Sequence, residues 1–466
     1  MTDLWRIEGR LLVRSGSWWA LILTLSGVAV GSLLVGRGIQ EREGRTIVAL
    51  TVHQDSVWRA QVEDARLFET GRLNPEYLSP LDGYLTWGFT NLAAGRRVPE
   101  LAMLSIGQAD LFPTYHVWGN VAPNTLFHER EISNPTTQAL GWLDFSVVLV
   151  LFVPLVLIGL SFDAAPRDRS SGIAPLLMGQ GARPSTVYAR RSVVAWAALM
   201  VVFVPLVTCT VLILSPGVRS TTGALALIWL AGIVVGYAAF WQATIFLVNS
   251  FGRSATWNAT ALILIWTVAT LVGPPTLDGF VGGGGTEQID EDMERWIAEF
   301  ALDTDAAYQA LRLDLLPDSA LGEEPTGSQA TIARLESLRR SRDSTAETWG
   351  DALIERERRV RAAASALPSA VVGFALVDLG GNDVASLLDY AEARRDFEAQ
   401  WTAAMMRRPV TGTDYSIGEL EGAPVWTPPA VPPTRTWAAL VLLWGQALAV
   451  AGLGWISFRR REHPSR

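Results

Sequence analysis

The sequence predicts an all-α polytopic membrane protein with six transmembrane helices, both termini in the cytoplasm and two mainly helical extracytoplasmic insertions. Three observations lead there. Apolar residues make up 49% of the 466 positions, charged residues only 18%, and mean hydropathy is +0.24. The apolar excess is gathered into blocks of about 20 residues, and a helix of that length spans roughly 30 Å, the thickness of a bilayer core. Arginines crowd the short segments between alternate blocks, as positive-inside sorting requires.

The elements follow in order. A short amphipathic stretch, 1–16, precedes the first span at 17–36. That span is long for the core of a signal peptide, and no small-x-small cleavage site follows it, so it reads as a retained anchor. The other spans are 142–161, 192–214, 222–248, 257–273 and 437–457. With the N-terminus inside, the segments 1–16, 162–191, 249–256 and 458–466 are cytoplasmic and hold 13 of the 38 arginines. The outer segments 37–141, 215–221 and 274–436 hold 25 arginines diluted by 40 acidic residues. The run RRREHPSR directly after the last span fixes the C-terminus inside.

The first outer region, 37–141, begins as a helical extension of span one and breaks at Pro75 and Pro80. Weak alternation from Tyr115 to Trp118 then predicts strand and turn. The second, 274–436, opens with the flexible VGGGGT linker and continues as helices over about 287–315, 327–366 and 384–407. TPPAVPPT returns the chain to the membrane as a stiff segment. Between the last two helices, ALPSAVVGFALVDLGG is apolar but too short to span; it fits a core element of the outer domain or an interfacial helix.

Composition also excludes chemistry. Every basic residue apart from the histidines is arginine. A phosphate-binding P-loop needs a lysine on the nucleotide, so this chain holds no such ATPase site, and Schiff-base catalysis is excluded as well. His128-Glu129 begins like a zinc-protease helix, but Ile132 stands where the second histidine belongs. No catalytic group, metal site or cofactor is expected. Cys209, the single cysteine, forms no internal disulfide and reads as a small buried apolar side chain. Asp144 is the one charged residue inside any span. It is a functional candidate on that ground, or a group at the outer end of its helix that reaches water. The spans repeat FVPLV around Pro154 and Pro205 and carry GxxxG pairs at Gly27–Gly31 and Gly232–Gly236.

The segment 162–191 carries five arginines between two of the most apolar runs in the chain. Charged and turn-forming residues open it (DAAPRDRSSG), then comes an apolar patch of Ile173, Leu176, Leu177 and Met178, and Pro184 leads into span three. Such an element can receive force from a soluble partner, or can simply fix topology. The segment resembles the cytoplasmic loop of ABC-2 type transporter permeases. Asp168 and Arg169 match that family's charged cluster, Gly172 its glycine, Leu176 and Leu177 its leucine patch, and Arg191 its basic residue before the next span. Ser170, Ile173-Ala174 and Gly181 depart from the pattern. QADLFPTYHVW, EISNPTTQALGWLDFSVVLV and ALPSAVVGFALVDLGGNDVASLLDYAEARRDFEAQW look like segments of one subgroup with large extracytoplasmic domains, related to gliding-motility and nitrous-oxide-reductase-maturation permeases.

The resemblance implies a multi-pass permease in the bacterial inner membrane, paired with a second copy or a paralogue. A separate P-loop ATPase would drive it, membrane lipid would surround it, and nucleic acid would play no part. Export is the expected activity. The alternative is a non-transporting anchor through which an ATPase does mechanical work on a periplasmic assembly.

Overall fold

The computed structural model describes residues 14–73, 79–106, 114–119, 144–281, 324–430 and 436–462, with isolated positions at 9–10, 309 and 311. The chain is an integral membrane protein built almost wholly of helices. Among the described residues seven helical runs are long and apolar enough to cross a membrane, one more than the six predicted.

Helix α1, Gly16–Glu69, is a single rod of 54 residues, about 80 Å long, enough to cross a bilayer and project well beyond it. Its buried residues Trp18, Ile22, Leu25, Ala29 and Leu33 recur at three and four spacing and mark one face. Beyond the membrane length, Gly36 lies against the backbone of Met103, and Gln40 Nε2 donates to the Pro99 carbonyl at 2.7 Å. Helices α2 (Gly83–Phe89), α3 (Phe145–Ser161), α4 (Ala164–Ser170) and α5 (Ile173–Gly179) follow. Then come α6 (Pro184–Leu214), α7 (Thr221–Ser250) and α8 (Ala255–Thr267). A π-turn at Val268–Val272 joins α8 to α9 (Gly273–Val281).

Pro154 and Pro205 sit inside the continuous helices α3 and α6. The pair Gly232 and Gly236 is used as the sequence predicts, because Leu440 and Trp444 of the last helix, α15 (Trp437–Glu462), fill the space beside them. Contacts run in step from Gly232 with Leu440 to Phe246 with Gly454, so α7 and α15 are parallel. Among the described residues Gly27 and Gly31 have no such neighbour. Cys209 is exposed on the flank of α6 rather than buried.

Helices α10 (Gly327–Ala364) and α12 (Val384–Met405) match the predicted helices at 327–366 and 384–407. The predicted helix at 287–315, the VGGGGT linker, the amphipathic stretch before residue 14 and His128 lie largely or wholly outside the described residues.

The short apolar stretch departs from both expectations. It forms α11, Pro368–Gly380, and its Val371, Val372, Ala375, Leu376 and Leu379 join the same core as α1, α3, α6 and α7. The turn before it is inserted among the membrane helices. Gln446, nine residues into α15 and so about 13 Å from its start, donates from Nε2 to the Ser365 carbonyl at 2.7 Å. Ser369 Oγ donates to the carbonyl of Ala269.

That second bond has a sequence cause. Gly273 N–H bonds Val268 in the π-pattern, and Pro274 has no N–H, so no main-chain donor remains for Ala269. A carbonyl without a donor at membrane depth is costly, and Ser369 supplies one. Ser369→Ala is therefore expected to cost about 1–3 kcal/mol, read as a lower unfolding temperature in detergent, whereas Ser369→Thr keeps the donor.

The two polar regions, separate in sequence, share one core. From the first come Val62 and Ala65 of α1, Trp87 of α2 and Leu92 and Ala94 of strand β1 (Asn91–Gly95). From the second come Ile332, Phe397, Trp401 and Met405, with Val410 of α13 (Arg407–Thr411) and Leu420 of α14 (Ile417–Glu421). Strand β1 pairs antiparallel with β2 (Tyr115–Gly119), where the sequence predicts a strand. Tyr390 Oη donates to the Ala94 carbonyl and Trp426 Nε1 to that of Gly95, both at 2.9 Å, which fastens β1 to the second region.

Candidate functional site

The arginine-rich end of the bundle carries the site that the sequence singles out. Two asparagines build its base. Asn249, near the end of α7, accepts from Ala165 N at 3.2 Å and donates to the Ser161 and Ile245 carbonyls at 3.1 and 3.0 Å. Asn258, in the second turn of α8, donates to the Phe162 carbonyl and to Asn249 Oδ1. Together they hold the α3–α4 corner against α7 and α8. Residue-by-residue reading misses both; the available signal was an amide side chain at the end of an apolar helix, where such groups join helices.

Asp168 is 4% exposed and is gripped by Arg191, with Tyr188 Oη at 3.4 Å. Asp168 lies on α4 while Arg191 and Tyr188 lie on α6, so this ion pair ties the loop to the third apolar run. Tyr188 also stacks on Phe458 at 5.4 Å, and Phe458 meets Phe246 at 5.1 Å. A small apolar cluster thereby joins α4, α6, α7 and α15.

Helix α5 stands apart from this scaffold. Gly172 (φ +73°) and Gly181 (φ +76°) flank it in left-handed conformations that favour glycine. None of its residues is buried. Ile173 and Met178 are exposed, Leu176 is 68% exposed, and Leu177 is half-buried. An apolar helix face left uncovered by the chain between two glycine corners is the surface a partner would cover.

The predicted residues thus divide. Asp168 and Arg191 form an internal clamp, Gly172 makes the corner, and Leu176 and Leu177 belong to the presented helix. Arg169 turns away from α5 and donates to the Arg253 carbonyl at 2.5 Å. Asp144 is not a free intramembrane carboxylate. It is the N-cap of α3, accepting from Val147 N, Ser146 Oγ and Ile106 N at 3.0, 2.6 and 3.0 Å. Its place is therefore the first turn of the helix, with a capping role.

Among the described residues no group of three histidine, cysteine or carboxylate side chains is placed to hold a metal ion. The chain matches no protein-family model, no curated protein and no solved structure.

Proposed function

We propose that this chain is the membrane-spanning permease subunit of an ABC-2 type transporter, exporting across the bacterial inner membrane and driven by a separate ATPase. The observation that carries the reading is α5, an apolar helix held out between Gly172 and Gly181 and tied to the spans through Asp168 and Arg191. The arginine-rich end is taken as cytoplasmic, in line with positive-inside sorting.

Six crossings fit this arrangement. Because α15 runs parallel to α7, it starts at the end of the bundle where α7 starts, which is also where α9 finishes. The chain between α9 and α15 therefore leaves and returns on one side, and α11 dips into the bundle without crossing. Both termini then lie in the cytoplasm, and both polar regions lie outside. A second copy or a paralogue completes the permease.

The test is purification of the tagged protein in mild detergent from its native host. A P-loop ATPase is expected to accompany it in stoichiometric amount. Leu176→Asp should leave the protein in the membrane and lower the recovered ATPase and its ATP turnover by about tenfold or more, since burial of one leucine side chain contributes about 1.5–3 kcal/mol. Full recovery of an active ATPase with that variant would rule out α5 as the contact.

One observation favours the second reading, a mechanical anchor without a substrate path. Helix α1 runs unbroken from the membrane core into the outer-domain core, from Trp18 to Ala65. Vesicles containing the complex separate the two: ATP-dependent transfer of lipid or peptide supports export, and turnover without transfer supports mechanical work.

A further inference from the structure

We infer that the turn between α7 and α8 is a binding site for the phosphate headgroup of an anionic phospholipid, with the acyl chains lying along the open flank of α8. The inference rests on the orientation proposed above.

Gly252, in that turn, has φ +64°, and the space where a Cβ would stand is occupied by Nη1 of Arg461 from the end of α15. Nη1 of Arg169, from α4, lies 3.0 Å from the same point. Two guanidinium groups from distant parts of the chain therefore meet over one glycine. Arg253 is the next residue. Among the described residues none of these three arginines has a carboxylate partner.

An open cavity of about 530 Å³ adjoins the cluster, lined by Asp163, Arg167, Arg169, Arg253, Ser254 and Ala255 among others. Its single carboxylate, Asp163, is already engaged by Arg167 at 2.6 Å. The cavity floor is the N-terminus of α8. Ser254 Oγ caps Trp257 N, and the Ala255 and Thr256 amides have no helical acceptor. Convergent like charges, free amides and the positive end of a helix dipole all favour an anion. Phosphate suits guanidinium forks in particular.

The surroundings favour a lipid as its source. Phe251 and Trp257 are exposed beside the cavity with ring centroids 6.1 Å apart, as aromatic side chains are at a membrane–water interface. Of α8 only Asn258 and Leu262 are buried, and Ile263, Leu264 and Ile265 continue an exposed apolar surface from the cavity into the bilayer. A molecule with a phosphate at one end and hydrocarbon at the other matches both parts. Basic pockets between helices on the cytoplasmic side recognise lipid headgroups through the same chemistry.

The experiment uses the full-length protein, delipidated in detergent, with dioleoyl phosphatidylglycerol, dioleoyl phosphatidylcholine or inorganic phosphate added. Bound lipid is counted by native mass spectrometry, and the unfolding temperature is followed. Phosphatidylglycerol is expected to bind about tenfold or more tightly than phosphatidylcholine, an advantage lost in Arg253→Gln/Arg461→Gln and weakened by salt. Arg460→Gln, a change one residue away on α15, should leave it intact. Equal binding of the two lipids, or unchanged preference in the double variant, would overturn the site. Stabilisation by inorganic phosphate equal to that by the lipid would overturn the lipid assignment. The orientation has its own readout, the side from which a Ser170→Cys variant is labelled in intact cells. Labelling from outside would reject the topology while leaving the detergent result to judge the site.

Discussion

Replacing Arg191 with alanine is expected to destabilise the arginine-rich end by about 3–5 kcal/mol, because it leaves Asp168 buried with its charge uncompensated. The comparison that isolates the cause is the double variant Asp168→Asn/Arg191→Ala. Removing the carboxylate charge as well should recover a large part of the loss, since a neutral amide beside Tyr188 carries no Born penalty. Unfolding temperature in detergent reads the stability. ATP turnover with the ATPase proposed above reads the consequence, and here the two variants should agree: both break the link from α4 to α6, so both should be uncoupled. A double variant that regains stability and coupling together would show that the clamp only supports the fold. A double variant no more stable than Arg191→Ala would remove the buried charge from the account.

That clamp shows how far the sequence carries. Asp168 and Arg191 stand out through their match to a loop pattern, yet nothing in that pattern says that they touch. Their pairing depends on α4 folding back across the start of α6, and the corner that permits it is set by Asn249 and Asn258, far along the chain. Arg169 matches the same pattern equally well and goes elsewhere, because the turn at Gly252 offers it a carbonyl and an open face.

The spans were legible because a run of about 20 apolar residues has few alternatives. Their faces were not. Helices α7 and α8 are apolar all round, which leaves no stripe to show which side packs. The same holds for α6, and Cys209 emerged on its outer flank for that reason. Helix α11 was the hardest to place. A mainly apolar helix of thirteen residues looks alike in a soluble core, on a membrane surface or inserted among spans. What decides is the carbonyl left without a donor by Pro274, some hundred residues earlier. The union of the two polar regions was equally hidden, since bonds such as Tyr390 to Ala94 join positions nearly three hundred residues apart.

The joint between the core of the two polar regions and the membrane bundle yields the second large effect. Arg96 is buried, and Nη2 donates to the Gly381 carbonyl and to Asn382 Oδ1 at 2.6 and 2.7 Å. Asn382 Nδ2 in turn donates to the Ser105 carbonyl at 2.7 Å. Ser105 bonds Ser146 in the first turn of α3, the turn that Asp144 caps. One chain of hydrogen bonds thus runs from the strand pair to the first turn of a membrane helix. Burial pushes the Arg96 pKa down, opposed by the charges of Glu43 and Asp383. Among the described residues Nη1 of Arg96 has no hydrogen-bond partner, so the group has no acceptor to spare.

Asn382→Leu takes one acceptor from that buried cation and a side-chain donor from the Ser105 carbonyl. It should cost about 3 kcal/mol, from a lost bond to a charged group and a stranded carbonyl. Arg96→Met removes the cation itself and fills similar volume, so it should cost less, although it too breaks the joint. The order matters more than either size. If Asn382→Leu lowers the unfolding temperature more than Arg96→Met, and adding Arg96→Met to Asn382→Leu restores part of the loss, the penalty is the buried cation left short of an acceptor. If Arg96→Met is the more damaging change, the arginine acts chiefly through the carbonyl of Gly381, and the joint is held at the corner between α11 and α12 rather than through Asn382.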